Sequence, residues 1–140
     1  MGRRVSRLYL DSSSIIYLVE SSTPFHETVV ARLMKHGNEP NAVLITSRLA
    51  RLECRTKPLR EANEKLLADY EAFFSAKRLV VVDLSAEVIE RATELRARHG
   101  LKTPDALHVA TALLEAADVF LTGDIRIGRC PALPVEILTI

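Results

Sequence analysis

Short apolar runs alternate with longer stretches of helical spacing along this chain. The runs at residues 5–10, 43–45, 79–82, 119–121 and 135–138 predict five β-strands. The run at 79–82 is continuous and rich in β-branched residues, which is typical of a strand buried on both faces. Between these runs, apolar residues return every three or four positions, and this spacing predicts helices.

Capping and breaking residues separate the predicted helices from one another. The six helices are predicted over residues 12–20, 24–36, 48–54, 60–76, 85–99 and a stretch after residue 103. Pro24 suits the first turn of the second helix, and Gly37 lies just past its end. Ser47 is the predicted N-cap of the third helix, and Thr103 is that of the sixth, with Pro104 in the first helical position.

Strands that alternate with helices predict an α/β fold in which helices cover both faces of a parallel sheet. The chain has 140 residues, of which 48% are apolar, so it is long enough to build one core. We expect one compact domain over residues 1–140, because no internal repeat, low-complexity tract or linker interrupts the pattern.

Composition changes this picture only in detail. The net charge is +1, so contact with RNA would need a local basic patch rather than a generally basic surface. Cys54 and Cys130 are the only cysteines, and their spacing fits neither a zinc site nor a disulfide framework. No segment approaches the length of a membrane span. We therefore expect a soluble protein of the reducing cytoplasm.

Four acidic residues stand out by their positions. Asp11 directly follows the first strand, and Asp124 comes just after the fourth. Asp105 lies in the first turn of a predicted helix, and Glu53 follows Leu49 by four residues and so shares the apolar side of its helix. Ligands bind at the carboxyl ends of the strands in open parallel sheets. We therefore expect these acids to converge in one cleft.

Converging carboxylates repel each other unless a cation neutralises them. Mg²⁺ prefers such oxygen ligands, and it can activate water for phosphodiester cleavage. Each acid also has an ordinary structural explanation. Asp11 could cap the following helix, Asp105 could favour a helix dipole, Asp124 could belong to a turn, and Glu53 could be solvated. The residue pattern alone leaves both interpretations open.

Four segments of the chain resemble those of PIN-domain nucleases, and of VapC-type toxins in particular. They are residues 8–13 (LYLDSS), 51–53 (RLE), 102–112 (KTPDALHVATA) and 119–124 (VFLTGD). The segment at 102–112 is the most specific, and the order and spacing of all four agree along almost the whole chain. Gly123 and Ile125 flank Asp124, where some relatives carry a further acid or amide.

The resemblance implies a three-layer α/β/α PIN-like fold and metal-dependent RNA hydrolysis with Mg²⁺ or Mn²⁺. It also implies a cognate antitoxin protein and a homodimer. The implied catalytic residues are Asp11, Glu53, Asp105 and Asp124. The implied metal ligands are the three aspartates, and Ser12 and Thr122 would support the site by hydrogen bonding.

Basic residues surround Glu53 along the chain, and Arg51 and Arg55 are the nearest of them. We interpret this cluster as a rim that contacts RNA phosphates, although a solvated helix face would show the same pattern. His108 lies three residues after Asp105 and is expected to be structural, with a satisfied ring nitrogen. Cys54 is expected to be a small core residue.

The helix over residues 12–20 is apolar nearly all round, and the next helix carries its own apolar side. We expect these two helices to leave an apolar groove beside the acid cleft, which either binds the antitoxin or is covered by homodimer packing. The apolar residues of the two helices are Ile15, Ile16, Leu18, Val19, Val29, Val30, Leu33 and Met34.

Two other functions remain compatible with the sequence. One is a PIN-fold module that binds RNA or protein without turnover, and the other is an RNA-processing nuclease without an antitoxin.

Overall fold

The structure, a computed structural model, describes residues 5–139. Five strands are present in this range: β1 Arg7–Leu10, β2 Val43–Ser47, β3 Leu79–Val82, β4 Val119–Thr122 and β5 Val135–Ile137. Six α-helices connect them: α1 Ser12–Val19, α2 His26–Gly37, α3 Arg48–Arg60, α4 Glu64–Phe74, α5 Ala86–His99 and α6 Thr103–Leu114. A 3₁₀ turn, Ile125–Arg129, follows β4.

All strand pairs are parallel, and their order across the sheet is β3-β2-β1-β4-β5. The chain moves outward from β1 to β3, and then returns to place β4 on the other side of β1. The direction of winding therefore reverses between β1 and β4, and the crevice beyond their carboxyl ends is the expected binding position in such a sheet. The predicted parallel α/β fold is confirmed.

Alternate side chains of the central strands enter two separate hydrophobic layers. Tyr9, Ile45 and Phe120 pack with α5 and α6 on one face of the sheet. Leu10 and Leu121 pack with α1, α3 and α4 on the opposite face. This period of two explains how one short strand such as β1 contributes to both layers, and it confirms the three-layer α/β/α architecture.

The ends of several elements differ from the sequence prediction. Strand β1 begins at Arg7 rather than at residue 5, because the Asp118 carboxylate accepts the backbone N–H groups of Ser6 and Arg7. Helix α2 begins at His26, with Pro24 in the preceding turn, and Gly37 is its last residue. These differences of two residues or fewer reflect local hydrogen bonds that the apolar pattern does not encode.

Three further helix boundaries were also predicted incorrectly. Helix α3 continues past residue 54 to Arg60, and α4 begins only at Glu64, because the side chain of Asn63 caps it by accepting the Leu66 N–H. The N-cap of α6 is Lys102, which makes Thr103 and Pro104 its first two residues. The prediction that Ser47 caps α3 is correct, since its hydroxyl accepts the Leu49 N–H.

The prediction that residues 79–82 are buried on both faces is wrong. Strand β3 is the edge strand of the sheet, and Val80 is 40% exposed. A continuous β-branched run favours extended backbone at an edge as well as at the centre of a sheet. No helix within residues 5–139 is long and apolar enough to cross a membrane.

Helix α5 ends at Gly100, which adopts a left-handed conformation with φ of 66°. An added Cβ would meet no atom within 4 Å, so Gly100→Ala tests backbone strain alone. We expect this variant to lower the free energy of unfolding by about 1 kcal/mol, measured by urea denaturation. Gly37→Ala is the matched control, because its Cβ is equally unobstructed but its φ is not positive. Gly37→Ala is expected to raise the free energy of unfolding by about 0.5 kcal/mol. If both variants lowered the free energy of unfolding equally, backbone strain at Gly100 would not be the cause.

Candidate active site

Asp11 occupies the junction between β1 and α1, where it caps the helix. Its Oδ1 accepts hydrogen bonds from the Ser14 N–H (3.0 Å) and the Ser13 hydroxyl (2.7 Å), and its Oδ2 accepts one from the Thr122 hydroxyl. The residue is only 5% exposed. A carboxylate offers about four acceptor positions, so these three bonds hold Asp11 firmly and leave room on Oδ2. Asp11 can therefore cap α1 and, through Oδ2, also serve as a metal ligand.

Thr122 connects the end of β4 to Asp11. Its hydroxyl donates to Asp11 and accepts the backbone N–H of Asp124 at 3.0 Å. The adjacent Gly123 N–H donates to the Ser13 hydroxyl at 3.0 Å. A Cβ at Gly123 would lie 2.5 Å from the ring of Tyr17, so only glycine fits here without displacing that ring. These contacts place the acid-bearing ends of β1 and β4 directly against each other.

Glu53 reaches the same region from α3. Its Oε1 accepts hydrogen bonds from the Ser12 hydroxyl and from His108 Nε2, each at 2.7 Å. Burial alone would raise the pKa of the Glu53 carboxyl, but the bonds from His108 and Ser12 outweigh it and lower the pKa below its usual value. Glu53 is therefore ionised at neutral pH, and Ser12 joins it to the helix that Asp11 caps.

Asp105 and Asp124 respond oppositely to their surroundings. Burial raises the pKa of Asp105, and the negative charges of Asp124 and Asp11 raise it further. For Asp124, hydrogen bonds from the Arg126 guanidinium are the largest influence and lower the pKa, at distances of 3.0 and 2.7 Å. Asp105 thus lies close enough to Asp124 and Asp11 to feel their charges, and the opposing influence of Arg126 and His108 does not offset burial and repulsion together.

The oxygen donors suit a hard divalent cation, although no ready ligand cage is present. Within residues 5–139, no three His, Cys, Asp or Glu side chains are already placed to share one ion. Burial and, after it, the charges of Asp124 and Asp11 raise the pKa of Asp105, and a bound cation would offset both effects. Asp105 also lines a cavity of about 220 Å³ together with Lys102 and Arg126. The residues therefore fit Mg²⁺ or Mn²⁺ by chemistry and by charge.

Arg51 and Arg55 lie on α3 but are engaged by an acid of α4. Arg51 donates to Glu71 at 2.9 Å and lies over the Phe74 ring, while Arg55 Nε lies 3.1 Å from the same Glu71 oxygen. The Arg55 contact meets the distance of an ion pair but not the geometry of a hydrogen bond. Both side chains remain about a quarter exposed, so a phosphate could still reach them.

Cys54 is buried at 3% exposure, as expected of a core residue. Burial and the nearby negative charge of Glu53 raise the pKa of its thiol to about 12. The thiol is therefore protonated at neutral pH and is a poor nucleophile.

The side chains expected to line a groove between α1 and α2 differ in exposure. Ile15 is fully buried, because α2, α3 and α4 pack around α1, whereas Met34 on α2 is 70% exposed. A cavity of about 540 Å³ lies along α3, with Leu52, Leu59 and Leu84 among the apolar side chains that line it. Leu52 is 64% exposed. Apolar surface is thus exposed on α3 as well as on α2, and the groove between α1 and α2 stays a prediction.

Sequence analysis missed two residues of the site and underestimated a third. Arg126 lies two residues after Asp124, a spacing that could have suggested a local ion pair. Tyr9 lies two residues before Asp11 and is fully buried, so nothing in the sequence distinguished it from core residues. His108 was expected to have one satisfied ring nitrogen, whereas both of its ring nitrogens are hydrogen-bonded.

Comparison with known proteins places the chain in a family. The sequence profile of the PIN domain matches residues 8–133, a range that contains all four candidate acids. The chain therefore belongs to the PIN-domain family, as its sequence motifs predict. No curated protein matches the chain significantly.

Solved structures with the same fold include toxins of the VapC type. VapBC2 from Rickettsia felis, bound to a DNA fragment from its promoter, matches with a TM-score of 0.74 and 21% identity, over 95% of this chain and 99% of that one. DNA-bound VapBC from Salmonella typhimurium matches with a TM-score of 0.74 and 20% identity, over 95% of this chain and 98% of that one. The sarcin–ricin loop cleaving toxin VapC20 from Mycobacterium tuberculosis matches with a TM-score of 0.66 and 22% identity, over 81% of this chain and 86% of that one. At these identities the likeness concerns the fold.

The opposite pKa shifts of Asp105 and Asp124 predict opposite effects on stability. Asp105 has a raised pKa in the folded state, so its ionisation costs stability as the pH rises above about 3.8 and through the folded value. Asp105→Asn should therefore be more stable than the parent protein at pH 7 in EDTA, with a difference that shrinks toward pH 4. Thermal unfolding at both pH values measures this.

Asp124→Asn is the matched comparison with the opposite sign. The pKa of Asp124 is lowered in the fold, so its ionised form stabilises the protein at pH 7, and that contribution is lost as the pH falls through the folded value. The variant should be less stable than the parent at pH 7. A destabilised Asp105→Asn would instead mean that the favourable position of this charge at the start of α6 outweighs the repulsion.

Proposed function

We propose that this protein is a metal-dependent endoribonuclease and the toxin of a toxin–antitoxin pair. The observation that carries the proposal is that Thr122 joins Asp11 to the backbone of Asp124 at the point where the sheet reverses its winding, with Asp105 close enough to be influenced by both charges. Membership of the PIN-domain family and the fold shared with VapC-type toxins support it. The cytoplasm is the proposed compartment, since both cysteines are free.

Asp11, Asp105 and Asp124 would hold Mg²⁺, with Mn²⁺ as the alternative. The ion would supply Lewis-acid activation of water and of the scissile phosphate. Asp105 would contribute a carboxylate whose ionisation the cation favours, and Asp11 one that is already oriented by Ser13 and Thr122. Glu53 is ionised and lies beside Ser12, so it would accept a proton from the attacking water.

RNA would approach along the basic side of α3. Arg51 and Arg55 are held by Glu71 in the free protein, and they would exchange this partner for RNA phosphates. Glu71 is about half exposed and the Arg55 contact lacks hydrogen-bond geometry, so the guanidinium groups can exchange this partner for a phosphate. Net charge near zero leaves the remaining surface with little general affinity for RNA.

The proposed protein partners are a cognate antitoxin and a second copy of this chain. Several of the matched structures are complexes of a toxin with its antitoxin, including those from Salmonella typhimurium and Klebsiella pneumoniae. An open reading frame for a small DNA-binding protein beside this gene would support the antitoxin, and its absence would favour an RNA-processing nuclease.

Removing one acid should abolish RNA cleavage without unfolding the protein. We expect Asp11→Asn and Asp105→Asn to reduce cleavage of total RNA by at least 100-fold, as is common when an electrostatic group of an active site is removed. Mapping new RNA ends after overexpression measures the effect, and circular dichroism monitors the fold. Cys54→Ser is the control next to Glu53, and it should cleave normally because the thiol is not ionised. Cleavage that persists in EDTA would rule out the metal mechanism. An intact fold that binds RNA without cleaving it would indicate a binding module.

Neutralising the basic side of α3 should weaken RNA binding in a salt-dependent way. If Arg51 and Arg55 each contact one phosphate of single-stranded RNA, replacing both with alanine flattens the slope of log affinity against log salt by about 1.4. Filter binding with inactive Asp105→Asn protein measures this slope without cleavage. Arg91→Ala with Arg98→Ala on α5 is the charge-matched control. An unchanged slope in the α3 variant would assign Arg51 and Arg55 only to their ion pairs with Glu71.

A further inference from the structure

The Glu53 carboxylate is held by one of its two oxygens. Oε1 accepts both the Ser12 hydroxyl and His108 Nε2, each at 2.7 Å. Within residues 5–139, no group forms a hydrogen bond with Oε2. The Glu53 side chain is 28% exposed, so solvent reaches part of it. The carboxylate is thus held through Oε1, and among residues 5–139 Oε2 has no hydrogen-bond partner.

His108 is itself held from behind by a buried tyrosine. The Tyr9 hydroxyl lies 2.7 Å from His108 Nδ1, and the two rings meet edge to face with centroids 5.8 Å apart. Tyr9 is 0% exposed and His108 is 3% exposed. The three residues of this chain of hydrogen bonds come from β1, α6 and α3, so each belongs to a different element of the fold.

Counting donors and acceptors shows how the protons must be placed in this chain if the His108 ring is neutral. An ionised carboxylate only accepts hydrogen bonds, so His108 Nε2 must carry a hydrogen to bond with Glu53. In the neutral ring, Nδ1 is then an acceptor, and the Tyr9 hydroxyl must be the donor. The Tyr9 hydroxyl is a donor at neutral pH, because a phenol ordinarily ionises only at about pH 10. A neutral His108 in this tautomer satisfies every contact without burying a further charge.

We infer that Tyr9 and His108 are positioning residues that select the Nε2–H tautomer and so orient Glu53 with Oε1 bound and Oε2 directed to the reacting water. This inference rests on the proposed nuclease function and extends it. Glutamate has several freely rotating bonds, and a displacement of about 1 Å in a catalytic group can lower the rate about 100-fold. Two bonds to a single oxygen restrict that rotation while they leave the other oxygen available.

Two conservative variants separate positioning from packing. Tyr9→Phe removes only the hydroxyl, because the ring that stacks on Phe120 with centroids 5.0 Å apart is retained. His108→Gln keeps an amide donor that can reach Glu53, whereas His108→Leu keeps similar bulk without any donor. His36→Gln is the control, since His36 is a buried histidine on α2 that contacts the Val43 carbonyl.

Nitrogen-15 NMR of the metal-free protein tests the tautomer without any assay of activity. The chain has four histidines, and loss of one signal in His108→Gln assigns His108. We expect long-range proton–nitrogen correlations of the Nε2–H neutral form in the parent protein. Tyr9→Phe should shift His108 toward a mixture of tautomers and should also move the carboxyl carbon signal of Glu53. His36→Gln should change neither.

RNA cleavage provides the second readout. Tyr9→Phe and His108→Leu should lower kcat about 10-fold to 100-fold with little change in KM, while His108→Gln should recover most of the loss. An Nδ1–H or doubly protonated His108 in the parent protein would overturn the inference, as would a Tyr9→Phe spectrum identical to that of the parent. If the parent protein does not cleave RNA but the NMR changes appear, the positioning of Glu53 stands and the proposed nuclease function fails.

Discussion

Carboxylate crowding at the switch point between β1 and β4 is the constraint around which this end of the protein is built. Parallel topology brings the strand ends together, and the sequence places Asp11 directly after β1 and Asp124 two residues after β4. Each acid is accommodated differently. Hydrogen bonds from Ser13, Ser14 and Thr122 hold Asp11. The guanidinium of Arg126 holds Asp124. Asp105 is less well compensated, because burial and then the charges of Asp124 and Asp11 raise its pKa despite the influence of Arg126 and His108. Stability given up at a binding site in this way is common in functional proteins.

The polar network around His108 also links the two hydrophobic layers. Helix α6 packs with one face of the sheet, and α3 packs with the other. Tyr9 lies on β1 between the two helices and forms a hydrogen bond with His108 of α6. His108 in turn contacts Glu53 of α3, so the two helices are joined across the end of the sheet. Buried polar groups are costly unless they are satisfied, and both ring nitrogens of His108 are satisfied here. The same bonds therefore orient the site and define how the layers meet.

The fold was largely predictable because it depends on two repeats of apolar residues. Strands repeat every two residues and helices about every 3.6 residues. Five strands, six helices and the Ser47 cap follow from these patterns. The edge position of β3 did not follow, because burial on both faces depends on strand order and not on the run itself. The exposure of single apolar side chains could not be predicted either. Leu52 on α3 is 64% exposed and Met34 on α2 is 70% exposed, whereas Ile15 on α1 is fully buried, because exposure depends on how the helices pack together.

For the site, the sequence could supply the acids but not their partners. Asp11 and Asp124 are identifiable because they follow strands, whereas the pairing of Tyr9 with His108 spans 99 positions and has no local signal. The Arg126 contact raises the question of whether this guanidinium would exclude a metal from Asp124. Its side chain is 60% exposed, and exposed ion pairs contribute little net stability. A divalent cation would act on Asp105 as well as on Asp124, because burial and the charges of Asp124 and Asp11 raise the pKa of Asp105. Exchange of Arg126 for a metal ion is therefore compatible with the proposed site.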